Sequence, residues 1–145
     1  MRIKKYSIIG SVLFSTALLL GACADKDEVK DPPTADAAKK EFGFHSFDLD
    51  IDTPDHKDAI EASFDVDVSD TEAEYVNRIE PVKLSGDKAY AELEPIFKDL
   101  ALTKDMSKDE VIEKVTKAFD VEDYTEFELE VEYSDGEYKD YNDKK

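Results

Sequence analysis

The chain has 145 residues and is strongly acidic, with 37 Asp and Glu against 19 Lys and Arg and a formal net charge of −18. This length is typical of one domain. The charge argues against nucleic acid or an anionic membrane surface as a charge-driven partner, and it permits cations and basic proteins.

The first 22 residues have the features of a bacterial lipoprotein signal peptide. Basic residues within MRIKK precede an uncharged apolar run over residues 6–20, which has the size of a signal-peptide core. The run ends in LGAC, residues 20–23, where two small residues precede the only cysteine of the chain. We therefore expect cleavage before Cys23 and a thioether-linked diacylglycerol on its sulfur.

This modification predicts the location of the protein. Two acyl chains anchor a protein stably in a lipid bilayer, so we expect a lipid-anchored protein on the extracytoplasmic face of the cell membrane of a Gram-positive bacterium. Residues 23–43 are charged and poor in large aliphatic side chains. The pattern predicts that they form, with the lipidated Cys23, a disordered acidic tether that spaces the domain off the membrane.

The folded part is predicted over residues 44–142 and begins with three strands. FDLDID, residues 47–52, alternates apolar and acidic positions, which is typical of a strand with one buried face. Residues 60–68 repeat this alternation after a turn at 53–58, and residues 73–80 form a weaker third strand. Short turns between neighbouring strands favour an antiparallel meander.

Two helices follow at 86–100 and 107–119, where the apolar spacing changes to the helical period. Pro95 lies inside the first helix and is expected to kink or split it. Ser107 and Glu110 form a capping-box signature at the start of the second helix.

A hairpin is predicted to close the chain. Residues 125–133 alternate again, and Asp135-Gly136 is a signal for a two-residue turn, which would place Glu132 opposite Lys139. The predicted fold is therefore α+β, an antiparallel sheet of four or five strands with two helices packed on one face, in the order βββααββ.

The chain resembles the YusW-like family of small bacterial lipoproteins. The resemblance lies in FDLDID, in KLSG at 83–86, in LEPIFKDLALTKDM, in DEVIEKVTKAFDVEDY, in the DGEY of the closing hairpin and in the LGAC start. It covers nearly the whole mature domain and implies a single α+β domain over 44–142 that is exported and lipidated. The family has no assigned activity to carry over.

Catalytic and metal motifs are absent from the sequence. DLDIDTPDHKD, residues 48–58, departs from an EF-hand loop, because Thr53 replaces its glycine and Ala59 stands where its glutamate is needed. His45 and His56 have no zinc-ligand spacing, and there is no nucleophile elbow or phosphate-binding glycine loop. We expect no enzymatic activity, no cofactor and no metal ligand set.

The acidic rows of the strands are the strongest functional lead. The candidate interaction face consists of outward-pointing carboxylates: Asp48, Asp50, Asp52, Asp65, Asp67, Glu128, Glu130 and Glu132. The sequence favours a non-catalytic interaction module that meets a basic envelope protein or peptide through this face. The alternative is a weak calcium- or magnesium-binding protein at the envelope. Whether the carboxylates form one cluster depends on the order of the strands.

Overall fold

The computed structural model describes residues 28–67 and 69–145, which form six strands and three helices in the order αββββααββ. The helices are α1 (Ala35–Phe42), α2 (Asp87–Leu100) and α3 (Lys108–Ala118). The strands are β1 (Phe44–Asp52), β2 (Ile60–Val66), β3 (Thr71–Asn77), β4 (Val82–Ser85), β5 (Glu126–Tyr133) and β6 (Tyr138–Lys144). The expected signal peptide and Cys23 lie outside the described residues.

The strands form one antiparallel sheet in the order β4-β3-β2-β1-β5-β6. The predicted α+β class is confirmed. The predicted four or five strands are corrected to six, and a third helix precedes the first strand. β6 runs to Lys144, two residues beyond the predicted end of the domain.

Strand β4 was not predicted because it is too short to show a period. It holds four residues and pairs with the end of β3, where Asn77 faces Val82. The buried Asn77 carboxamide orders the turn between the two strands, since its Oδ1 accepts from the backbone N–H of Ile79 at 2.9 Å and of Glu80 at 3.0 Å.

Helix α1 lies in the segment that was expected to be a disordered tether, so that prediction is wrong for residues 28–43. The Thr34 side chain caps the helix by accepting from the Ala37 N–H at 3.2 Å. Gly43 ends it in the left-handed conformation, at φ 84°, and a Cβ there would lie 3.0 Å from the Leu102 carbonyl oxygen. The caps at Thr34 and Gly43 stabilise the helix despite the polar composition of the segment.

The chain is attached to the fold even before α1. The Val29 N–H donates to the Thr71 carbonyl at 2.8 Å, and the Lys30 N–H donates to the Asp87 carboxylate at 2.8 Å. The Val29 side chain is only 3% exposed. We call residues 28–34 the N-terminal arm. Together with β4, the arm covers the β3 edge of the sheet.

Phenylalanine rings from three elements meet around Phe97 of α2. Its ring centroid lies 5.6 Å from that of Phe42 in α1, and 5.2 and 5.0 Å from those of Phe44 and Phe47 in β1. The Phe64 ring of β2 lies 5.4 Å away. All five side chains are almost fully buried. This cluster fixes α1 and α2 on the same face of the sheet.

The two predicted helices form with small corrections. α2 is one continuous helix through Pro95, so it is not split there. The capping box of α3 is confirmed, because the Ser107 hydroxyl accepts from the Glu110 N–H and the Glu110 carboxylate accepts from the Ser107 N–H at 2.9 Å.

The closing hairpin differs from its prediction by one residue. The Gly136 N–H donates to the Tyr133 carbonyl at 2.9 Å, and Gly136 is left-handed at φ 84°. The loop therefore spans residues 134–136, a turn followed by a glycine bulge. Glu132 faces Tyr138, so the predicted Glu132–Lys139 pair is wrong. Because side chains alternate, this shift moves every β6 side chain to the other face of the sheet.

The first prediction concerns α1. Phe42→Ala should lower the free energy of unfolding by about 3 to 5 kcal/mol, because it empties a ring-sized volume in the core. Phe42→Leu should cost less. Urea unfolding of the soluble chain 24–145 measures both, with the exposed Lys40→Ala as the control. If Phe42→Ala behaves like the control, α1 is not packed in solution.

Candidate interaction face

The sheet face opposite the described helices is open and carries most of its charge as carboxylates. Helix side chains and inward strand side chains share one core cluster, whereas the alternate strand positions point to solvent. We call the outward side the acidic face. Its carboxylates are Asp48, Asp50, Asp52, Glu61, Asp65, Glu72, Glu74, Glu126, Glu128, Glu130, Glu132 and Asp140.

The strand order brings the acidic rows into direct cross-strand contact. β1 lies between β2 and β5, so the acids of β1 face the acids of β5 in register: Asp48 opposite Glu130, Asp50 opposite Glu128 and Asp52 opposite Glu126. On the other side, Asp50 faces Glu61. Directly opposed residues lie about 5 Å apart, so the expected rows form one cluster at the centre of the sheet.

The structure changes the membership of the predicted face at its margins. Asp67 lies one residue beyond the end of β2, in the exposed turn to β3, rather than on the strand. Glu72 and Glu74 of β3 and Asp140 of β6 join the face. The polar alternation of β3 was visible in the sequence. The predicted register of the hairpin placed Asp140 on the core side, and the one-residue shift moves it to the acidic face, opposite Glu130.

Partial burial and nearby like charges raise the pKa values of two central carboxylates, Asp48 and Asp50. Partial burial, and then the negative charges of Asp58 and Glu61, raise the pKa of Asp50 to about 6. The pKa of Asp48 is also raised, first by desolvation and then by Glu130 and Glu61. Asp48 is nevertheless exposed at the surface of the sheet. In the absence of a bound cation, the centre of the face opposes folding at neutral pH.

Basic side chains reach only the margins of the described face. Lys144 pairs with Glu126 at 2.9 Å, and Arg78 pairs with Glu61. Lys83 of β4 lies opposite Val76, on the outer strand. The four central carboxylates, on Asp48, Asp50, Glu128 and Glu130, have no ion pair with a Lys or Arg among the described residues.

One group of carboxylates has the spacing of cation ligands. An oxygen from each of Asp50, Asp52 and Asp58 lies within 4.8 Å of the others. Asp58 is held there by its own backbone, since its N–H donates to Asp52 Oδ1 at 2.6 Å and its φ is 48°. Arg78 donates to the Asp58 carbonyl oxygen and to Glu61. Hard divalent cations prefer such oxygen ligands. All three residues belong to the segment 48–58 that departs from an EF-hand loop, and their approach depends instead on the turn at 53–58, which brings Asp58 back to β1.

A bulge at the start of β1 places His45 beside the face. The register with β5 shifts between Phe44 and Ser46, so His45 is the extra residue, and Phe44 and Phe47 both stay in the core. His45 Nε2 lies 3.4 Å from the Glu132 carboxylate, and its Nδ1 is buried with no hydrogen-bond partner among the described residues. His56 is exposed in the turn at 53–58.

The fold and the face define a small α+β domain with a helix-backed antiparallel sheet and an open acidic side. The chain belongs to the YusW-like protein family, whose model matches residues 45–135. Neither the curated proteins nor the solved structures contain a significant match. Among the described residues, no helix has both the length and the apolar character that a membrane span requires.

The second prediction concerns pH. The folded state binds the Asp50 proton more tightly than the unfolded state does. The stability that this proton contributes is therefore lost as pH rises from about 4 to above 6. Asp50→Asn should therefore stabilise the chain at pH about 7, by on the order of 1 kcal/mol after allowance for solvent screening, and the gain should shrink towards pH 4.

Thermal unfolding of the wild type and of Asp50→Asn across this pH range measures the difference in stability between them. The two histidines are present in both proteins, so their titration cancels in this difference. Asp99→Asn, an exposed change of equal charge on α2, is the control. A loss of stability in Asp50→Asn at neutral pH would contradict the repulsion described above.

Proposed function

We propose that this protein is a lipid-anchored, extracytoplasmic interaction module whose acidic face binds a cationic segment of a protein or peptide in the cell envelope. The binding is non-catalytic. The observation that carries the proposal is the in-register pairing of acid with acid at the centre of an uncovered sheet face.

The energetic argument starts from the cost of these pairs. Like charges directly opposite each other on neighbouring strands are destabilising. Two charges about 5 Å apart repel by up to about 1 kcal/mol in water. Several such pairs oppose folding by a sizeable part of the 5 to 15 kcal/mol that stabilises a typical domain. A partner that supplies positive charge removes this cost on binding.

The lipid anchor belongs to the same proposal. Its support is the sequence of basic residues, apolar run, small pair and Cys23. An acidic face is repelled by anionic lipid and attracts basic groups. An anchored module of this kind would collect a basic partner near the outer surface of the membrane without itself lying face-down on the lipid.

The third prediction tests the face with a defined probe, an oligolysine peptide of about ten residues. Binding is measured by calorimetry at two salt concentrations with the soluble chain 24–145. Changing Asp48 and Asp50 to Asn and Glu128 and Glu130 to Gln should weaken binding about tenfold or more, because the four changes remove the central charge.

The control variant changes the net charge equally but elsewhere. Glu92→Gln, Asp99→Asn, Asp105→Asn and Glu113→Gln are exposed positions of the helices and the loop between them. This variant should keep the affinity within about twofold of the wild type. If both variants weaken binding alike, only net charge matters and the face is not a binding surface.

A divalent-cation site is the second candidate function. It is favoured by the cluster of carboxylate oxygens on Asp50, Asp52 and Asp58. The site would hold calcium or magnesium weakly, because three carboxylates leave most of the coordination shell to water. A bound cation would also offset the charges of Asp58 and Asp52, which add to the effect of burial in raising the pKa of Asp50.

The fourth prediction separates cation binding from screening. With a dissociation constant of about 1 mM, about 10 mM calcium should stabilise the folded chain by about 1.4 kcal/mol beyond sodium of equal ionic strength. Asp58→Asn should abolish this gain, whereas Asp55→Asn, an exposed change in the same turn, should keep it. Equal melting temperatures in calcium and sodium would remove the cation candidate.

A further inference from the structure

The N-terminal arm begins close in sequence to the proposed lipid anchor. Residues 24–27 alone separate Cys23 from Glu28. Glu28 pairs with Glu72 at the start of β3, and the next residue, Val29, is buried and bonded to Thr71. The fixed part of the domain therefore starts immediately after this short link.

The length of the link limits how far the domain lies from the bilayer. A fully extended chain spans at most about 3.6 Å per residue, so the Cα atoms of Cys23 and Glu28 lie within about 18 Å of each other. A tether that continued to residue 43 would reach several times further. Because the arm is bound to the edge of the sheet, only residues 24–27 remain to separate the domain from the anchor.

The arm also determines which end of the sheet is held near lipid. Glu28 continues the cross-sheet row formed by Glu72, Asp65, Ser46 and Glu132. This row lies at the end of the sheet that carries the turn at 67–70 and the loop at 134–136; we call it the proximal end. The turn at 53–58 lies at the opposite end, about 20 Å further along β1 at about 3.3 Å per residue.

Charge opposes the arrangement in which the open face lies on the bilayer. The acidic face has uncompensated carboxylates at its centre. A bilayer that contains anionic lipids carries negative charge at its surface and therefore repels this face. A short link at one end of the strands and repulsion from the face act in the same direction: they favour strands that stand upright on the membrane.

We infer that the domain stands on the outer leaflet by its proximal end, with the acidic face turned sideways and the turn at 53–58 farthest from lipid. This inference rests on the lipid anchor of the proposed function and specifies the partner's approach. A cationic partner must reach the face from the side, within a few tens of ångströms of the bilayer, so it is a membrane-bound or membrane-adjacent molecule.

The fifth prediction uses energy transfer in vesicles that carry the mature lipoprotein. The lipid consumes the thiol of Cys23, so a cysteine introduced at the exposed Ser69 or Lys57 is the reactive thiol that remains for a donor dye. Ser69 lies at the proximal end and Lys57 at the far end. With an acceptor on the lipid headgroups, transfer from Ser69→Cys should exceed that from Lys57→Cys by about twofold or more. Equal or reversed transfer would overturn the inferred orientation.

Two controls lengthen the link without touching the face. Insertion of about 20 Gly and Ser residues between Asp27 and Glu28 gives a link with a root-mean-square length near 25 Å and should abolish the difference between the two labels. Val29→Asp should reduce it, because a charge in place of a buried side chain releases the arm as far as α1. Circular dichroism confirms that each variant is folded. A difference that survives the insertion would overturn the role of the short link.

Flotation of the unlabelled lipoprotein with the vesicles distinguishes the two levels of the proposal. A chain that does not float has no lipid anchor, which overturns the proposed function and this inference with it. A chain that floats and shows no difference between Ser69→Cys and Lys57→Cys keeps its anchor and overturns the orientation alone.

Discussion

The packing of rings around Phe97 is the interaction on which the rest of the structure depends. It joins α2 to α1, to β1 and to β2, and so places both helices and the core on one side of the sheet. A domain of this size has one core, and one sheet face is sufficient to build it. The other face is then free to carry charge, and the extreme acidity of the chain accumulates there.

The aromatic core also explains why the start of the domain lies earlier in the chain than its composition suggests. Phe42 is the only phenylalanine of α1, and it enters the cluster because Gly43 turns the chain sharply into β1. Val29 is anchored at the edge of β3 by one backbone hydrogen bond and its own burial. A few well-placed apolar residues and two caps order a segment whose average composition is typical of a linker.

The acidic face acquires its chemical character from the central position of β1. A strand with three outward aspartates would be unremarkable at an edge, where water and salt screen it. Between β2 and β5, each aspartate instead meets carboxylates on one or both sides. Partial burial, followed by the charges of Asp58 and Glu61, raises the pKa of Asp50 to about 6. Binding of a cationic segment and binding of a divalent ion are two ways to remove the same electrostatic cost.

Local features of the sequence determined which side chains of β1, β2 and β5 point outward and where α3 begins. Period-two alternation and helix capping depend on neighbours in the chain, so the sequence alone is enough to predict them. The tertiary structure alone decided that β1 lies between β2 and β5, that Asp58 returns to Asp50 and Asp52, and that the last hairpin is shifted by one residue. These features depend on pairing between distant segments and on the conformation of one glycine, and alternation is equally compatible with other strand orders and registers.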